Sequence, residues 1–466
     1  MPAATAASDD RQARLEQLQT MPVGRLLWQY SLPAVVGMLV MMLYNVVDRI
    51  FIGQVVGPEA IAGLAITFPV MNITTALGTL VGAGASARVS LLLGAGKAET
   101  ARKVLGNSLT LTLTIGIIYI GLFAAFMDTV LRWFGANEIT LPYARDFMTF
   151  ILPGLLLTNL TFSFNNIMRA SGFPVRAMVT MFIGAGLNVV LAPTFIYLLD
   201  AGIKGAAIAT DIAMAISAIF VMRHFTDRRN GDVTFAPGIY RLDRKLVWAI
   251  MGIGAAPFVV NTGSCIINIF INHALLDYGG VAAIAASGIF VTFTSLLCSV
   301  ILGICQGLPP IVGFNYGCNQ TERVARVYWL AVAVATVISL GGWIIGLTCP
   351  QVVARAFVSD PGLVDFTAKA LSTAMICFWM VGFQIVSTTY FQAIGKIGKS
   401  VFLSLIRQVI FFIPLLLLLP KWFGLNGVWF TFWSSDILAT LVTAIMMAGA
   451  LRSLRRHRAG SVIPSA

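Results

Sequence analysis

The chain has 466 residues, 58% hydrophobic and only 11% charged, with a mean hydropathy of +0.87. Soluble domains carry about 25% charged residues, so this composition excludes a soluble globular protein and makes lipid the solvent. The formal net charge of +12 then becomes a question of topology.

A polar arm, DDRQARLEQLQT (9–20), precedes the first apolar run and argues against a cleavable signal sequence. A spanning helix needs roughly 20 apolar residues at 1.5 Å rise each. By that measure the sequence predicts twelve, centred near residues 40, 72, 115, 153, 188, 213, 260, 294, 336, 378, 410 and 437. Of the 31 Lys and Arg, 23 fall in the N-terminal arm, the even-numbered gaps and the C-terminal tail. Seven fall in the odd-numbered gaps, and Arg407 lies inside a helix. Positive charge is retained on the cytoplasmic side, so both termini are expected in the cytoplasm. The basic charge is a topology signal, and no nucleic-acid partner is expected.

The longest polar stretch, 223–245, divides the chain into two halves that resemble each other. Shifted by 223, VSLLLGAGKAETARKV (89–104) meets VGFNYGCNQTERVARV (312–327), and MRASG (168–172) meets FQAIG (391–395). GIKG (202–205) meets GLNG (424–427) at 222, and Pro33 meets Pro257 at 224. Repeats with an even number of spans enter from the same side and are related by an axis along the membrane normal. Secondary transporters are commonly built this way. The predicted fold is an all-α membrane protein of twelve helices in two six-helix lobes. Its expected parts are an arm (1–20), an N-lobe (21–222), a linker (223–245), a C-lobe (246–451) and a basic tail (452–466).

Several motifs in order carry a family resemblance. They are P-x14-D-x4-G (Pro33, Asp48, Gly53), GPEAIAGLAI (57–66), ARVSLLLGAGKAETA (87–101), IMRASGFP (167–174), GLNVVLAPTFIY (186–197), GIKGAAIAT (202–210) and YFQAIGKIGKS (390–400). The chain thereby resembles the MATE family of multidrug and toxic compound extrusion transporters, from Met21 to about Arg455. The resemblance implies a two-lobed exporter that couples drug efflux to inward H⁺ or Na⁺ movement. The middles of helices seven and ten carry no carboxylate, which is similar to the DinF-like bacterial branch with its ion site in the N-lobe. In that branch helix five commonly reads N-x3-D-P; here it is Asn188 to Pro193 with Ala192 in place of the acid.

Asp48 lies in YNVVDRIFIG between uncharged runs, roughly 6–9 Å below the outer end of helix one. Intramembrane carboxylates mark ion and proton paths, and removal from water favours their neutral form. Tyr44 and Asn45 share its face at four and three residues. By rise alone, Asn188 and Thr210 reach a similar outer level, Thr210 about 12 Å down. The expected ion-coupling set is Asp48, Asn188, Thr210, Tyr44 and Asn45. Asp211 points about 100° away from Thr210 and either compensates for Ala192 or pairs elsewhere. Fewer oxygen ligands favour H⁺ over Na⁺. Pro33, which removes a backbone hydrogen bond, is a candidate moving part.

In the second half, Arg407 and Asp436 are expected at matching depths, as a structural or gating pair. Met38, Met41 and Met181 are candidate contacts for varied, often cationic compounds, because Met adapts to many shapes. The six cysteines read as small buried hydrophobes and the three histidines are scattered. No metal, cofactor or enzyme motif is seen. The alternative function is a flippase for lipid-linked precursors; Arg407 as the sole deep basic residue counts against it. The expected setting is the bacterial cytoplasmic (inner) membrane, with a monomer in contact with membrane lipid and small-molecule drugs or dyes.

Overall fold

The computed structural model describes residues 16–55, 58–198, 202–227 and 231–460; the side chains of 45–55, 58–62, 198 and 455–460 are not among those described. Among the described residues, ten helices are long and apolar enough to cross a bilayer. The longest of these runs is two spans joined at Gly280, whose φ of 65° and ψ of −161° are not helical. The pair Pro361–Ala374 and Phe378–Ala393, bent by 49°, supplies one more. The protein is a twelve-helix, multi-pass membrane protein.

In chain order the spans are α1 (Val23–Val55), α2 (Pro58–Gly94), α3 (Ala98–Ala125), α4 (Leu141–Ala170), α5 (Pro174–Pro193) and α6 (Gly202–Thr226). Then follow α7 (244–279), α8 (281–308), α9 (Thr321–Thr348) and α10 (Pro361–Ala374 continued by Val381–Ala393). Next come α11 (Ile397–Leu405, a π-turn Ile406–Ile410, and Phe412–Phe423) and α12 (Leu425–Gly460). Many exceed the 20 residues of a minimal span because their ends continue beyond the apolar runs. So α6 runs to Thr226 and α7 starts at Arg244, each a few residues into the polar stretch 223–245. Likewise α10 begins at Pro361, earlier than its apolar centre suggests, and α12 runs on to Gly460, into the expected tail.

The internal repeat reappears as matched turns. After α2, Gly96 (φ 70°) closes the helix with Lys97 N–H donating to Leu92 C=O at 2.8 Å. The equivalent position 223 residues on is Asn319 (φ 58°), with Gln320 N–H donating to Asn315 C=O at 2.8 Å. Gly172 (φ 95°) and Gly395 (φ 72°) do the same after α4 and α10. A left-handed residue at the helix end is what this cap requires, and Gly and Asn bear it most cheaply. Matching sequence thus means matching backbone. Pro33 in α1 and Pro257 in α7 both remove the hydrogen bond that their nitrogen would give to the preceding turn.

The two halves meet through small residues. Gly303 and Gly307 of α8 lie against Val35 and Ser31 of α1, and Ser31 Oγ donates to Ile304 C=O at 3.2 Å. Gly84 of α2 lies against Ile250 of α7, and Gly254 of α7 against Leu80 of α2. All four glycines belong to the halves of their helices nearest the 227–243 linker, so the lobes pack backbone to backbone at that end. A Cβ added at Gly254 would collide with the Leu80 carbonyl, which backbone cannot evade. Gly254→Ala is therefore expected to force the lobes apart at the linker end. Accessibility of a cysteine at position 31 or 35 to a polar thiol reagent would rise severalfold; unchanged labelling would show that the contact yields locally.

The linker itself is tied to the N-lobe. Asn107 Nδ2 donates to the carbonyls of Ile239 (3.3 Å) and Arg241 (3.1 Å), and Asp243 N–H donates to Asn107 Oδ1 at 2.8 Å. Six free cysteines are present; Cys305 and Cys377 are buried, whereas Cys349 is exposed, so the expectation of six buried hydrophobes holds for part of the set.

Candidate functional site

The N-lobe core splits into two apolar clusters, one toward the linker around Phe164 and Phe225, the other at the far end around Leu131, Leu155 and Ala207. Between them the facing sides of α4, α5 and α6 turn polar. Asn188 of α5 is buried, and its Nδ2 donates to Thr210 Oγ1 of α6 at 2.8 Å. The Thr210 hydroxyl proton goes to Ala206 C=O, 3.0 Å away, within its own helix. Thr210 oxygen is therefore held as an acceptor toward α5. The pair expected from depth alone is in direct contact.

Ala192, one turn beyond Asn188, is fully buried in the apolar cluster that also contains Val70, Leu152 and Ile196. Asp211, next to Thr210, faces a different neighbour. Its carboxylate occupies the space above Gly154 of α4, where a Cβ would collide with Oδ1, and this oxygen is buried without a hydrogen-bond donor. The structure thus separates Asp211 from the α5 side that Thr210 faces. Tyr44 is half-buried on α1. Asn45 and Asp48 lie in the same helix, and their side chains are outside the described residues.

A cavity of about 30 Å³ opens between α1, α4, α5, α6 and α8. Met41 and Met181 line it, as does Met214 of α6. Met38 does not, but its sulfur accepts from Gln306 Nε2 at 3.3 Å, and Gln306 of α8 is a lining residue. Met181 also packs its sulfur against Gly37 of α1. The polar lining from α4 comprises Thr161, Asn165 and Arg169. These stand four residues apart along one helix face, a stripe legible in TFSFNNIMR once the period is applied to α4.

Arg169 corrects the expectation that Arg407 is the sole deep basic residue. Only 4% of Arg169 is exposed, although it sits in the last turn of α4 where loop charges were anticipated. The N-lobe thus holds a buried cation as well. In the C-lobe, Arg407 lies in the π-turn of α11 with Nε 3.8 Å from Asp436 Oδ1 of α12. Gln384 of α10 donates to the Asp436 carbonyl at 2.9 Å and to Thr440 Oγ1 at 2.7 Å. Among the described residues no group of three or more His, Cys, Asp or Glu could hold a metal ion.

The sequence profile of the MatE family matches residues 33–194 and 253–418, one stretch in each half. The chain belongs to the MatE family. It is 27% identical over 428 residues to the multidrug export protein MepA of Staphylococcus haemolyticus, covering 92% of this chain and 93% of that protein. A crystal structure of a MATE protein in the bent conformation superposes with a TM-score of 0.89 at 27% identity, covering 96% of this chain and 99% of the other. The outward-facing conformation of a multidrug resistance MATE transporter of the MOP superfamily gives 0.88 at 27% identity, with 94% and 98% covered. Membership of this family identifies a transporter without catalytic chemistry.

Proposed function

We propose that the protein is a secondary active multidrug exporter of a bacterial cytoplasmic membrane. It exchanges organic, often cationic compounds for inward H⁺, or less readily Na⁺, by alternating access. The observation that carries this reading is the Asn188–Thr210 hydrogen bond beside a methionine-lined cavity between the N-lobe helices and α8. Buried polar groups between helices are costly unless used, and methionines suit a cavity that must accept many shapes. Relatives named as multidrug export proteins agree with it.

With both termini and the linker in the cytoplasm, the glycine-rich contacts between lobes close the inner end. The state described is then outward-facing, ready to release a compound and load an ion. Asp48, one turn beyond Tyr44 on α1, supplies the exchangeable charge, and Asn188 and Thr210 supply neutral oxygens. Asp211 belongs to the α4–α6 contact and serves as a second acid only if α4 moves. Pro33 allows α1 to bend between states.

The test is export of a cationic dye by everted vesicles, with pH and Na⁺ gradients imposed separately. Dye accumulation in the lumen is expected to accelerate when the lumen is acid, so that protons leave the vesicle, the direction that is inward in the cell. Indifference to both gradients would end the antiporter reading.

Ala192 bears on the choice of ion. Its methyl group takes the place of a carboxylate, and Na⁺ needs a full shell of oxygens. Ala192→Asp is expected to give a larger Na⁺ response than the parent's, read as a Na⁺-dependent rise in melting temperature and in efflux. The carboxylate would enter tight apolar packing, so the variant in K⁺ should melt below the parent. If Na⁺ leaves it unmoved while Asp211→Asn abolishes coupling, the coupling site lies between α4 and α6.

A further inference from the structure

Arg169 carries a charge that no described protein group balances. It is buried, and Nη2 donates to Asn166 Oδ1 at 3.0 Å, while Nε and Nη1 meet no acceptor. None of the ion pairs among the described residues includes it. Among the described residues that line its cavity there is no Asp or Glu. The C-terminal end of α4 offers at most about half an elementary charge of compensation. Buried charges are ordinarily paired and fully hydrogen-bonded.

Several buried groups without partners share this one cavity. Besides Arg169, Thr161 Oγ1, Asn165 Oδ1 and Gln306 Oε1 are buried without partners, and all four residues line the same cavity. The Thr161 hydroxyl is free to donate. The amide of Asn165 can present N–H instead of oxygen, since the two are interchangeable in assignment. Thr180 and Ser217 give their protons to Arg176 and Ala213 carbonyls, so they wall the space without competing for it. About 30 Å³ accommodates one or two solvent-sized species. Water alone would satisfy the hydrogen bonds but would leave the charge.

We propose that Arg169 is the centre of an anion subsite that holds one small monovalent anion, a halide or a single carboxylate group. Its Nε and Nη1 donate to the anion, the Thr161 hydroxyl and the Asn165 amide complete the donor set, and Met41 and Met181 provide the dry wall. A charge-assisted contact of this kind is strong where water is excluded. The anion either comes free from solution or is the carboxylate arm of a transported zwitterion. In the second case the subsite extends the range of compounds beyond simple cations.

The experiment uses the purified full chain in detergent at constant ionic strength, with gluconate, too bulky for the cavity, as the balancing anion. Chloride or acetate replacing gluconate is expected to raise the melting temperature saturably. A cationic rhodamine methyl ester and its free acid, which differ only by the carboxylate, are compared by fluorescence polarisation. Tighter binding of the acid, abolished in Arg169→Gln, identifies the carboxylate arm; a chloride effect with equal dye affinities identifies the free halide. Arg169→Gln should weaken anion binding about ten- to hundredfold. Thr161→Val, which keeps the shape and removes only an unpartnered hydroxyl, should weaken it about two- to tenfold and carries the test if Arg169→Gln does not fold. Equal melting in chloride, acetate and gluconate, or an anion response that persists unchanged in these variants, would overturn the assignment and leave solvent as the content. These readouts measure binding alone, so they stand apart from whether Asp48 couples transport.

Discussion

Asp48→Asn is expected to reduce gradient-driven efflux to the background of vesicles lacking the protein, with membrane insertion and yield unchanged. The substitution keeps the size and the hydrogen-bonding reach of the side chain and removes only the exchangeable proton. α1 is continuous through Val55, so position 48 lies inside a helix, with Val46 and Val47 before it and, past Arg49, the apolar Ile50, Phe51 and Ile52 after it. An acid there is costly unless it works. Asp48→Glu should retain part of the activity, since the proton remains while its position moves by one methylene. Dye binding to the purified Asp48→Asn protein should persist, because the described lining of the cavity, with Met41, Met181 and Met214, is left intact. Export of a cationic dye against its gradient by Asp48→Asn would remove the residue from the mechanism. The informative companion is Asp211→Asn. Asp211 packs on Gly154 of α4, so its loss should affect stability more than coupling if Asp48 is the exchanging group.

The parts of this protein that were legible in sequence are those set by local rules. Span number and repeat follow from apolar runs and from turn residues such as Gly172 and Gly395, whose backbone demands a particular residue type. Asn188 and Thr210 were placed together by counting rise along antiparallel helices, and a polar pair between apolar faces has few other partners. The same counting misses what depends on rotation and on a third helix. Asp211 is adjacent to Thr210, yet about 100° of turn hands it to α4. Arg169 has the sequence appearance of a loop charge because it sits one residue from the helix end. Only the packing of α5, α6 and α8 around that end buries it. Gln306 enters the cavity from the other lobe, and no periodicity within the first half could have pointed to it.

Arg407 and Asp436 show how a pair can be read from depth and still need geometry for its energetics. The Nε to Oδ1 separation of 3.8 Å is an ion pair without a direct hydrogen bond. The side chain of Arg407 is 30% exposed and that of Asp436 16%, so the interior is only partly dry around them. Breaking a fully buried pair costs about 3–5 kcal/mol; partial exposure places Arg407→Ala at or below the low end of that range. Asp436 has its own anchor, since its backbone carbonyl accepts from Gln384, and α12 should hold its register when the arginine is lost. The carboxylate would then remain inside the lobe without a cation. The expected result is a clear fall in melting temperature for Arg407→Ala, with partial recovery in the double variant with Asp436→Ala. Recovery arises because the stranded charge is removed as well, and contacting residues couple by about 0.5–3 kcal/mol. The π-turn Ile406–Ile410 sets the direction of Arg407, so the pair also fixes how α11 sits against α12. If it holds one conformational state, transport rate in the double variant should change although stability is regained. Losses that simply add across the cycle would show that the two residues do not interact.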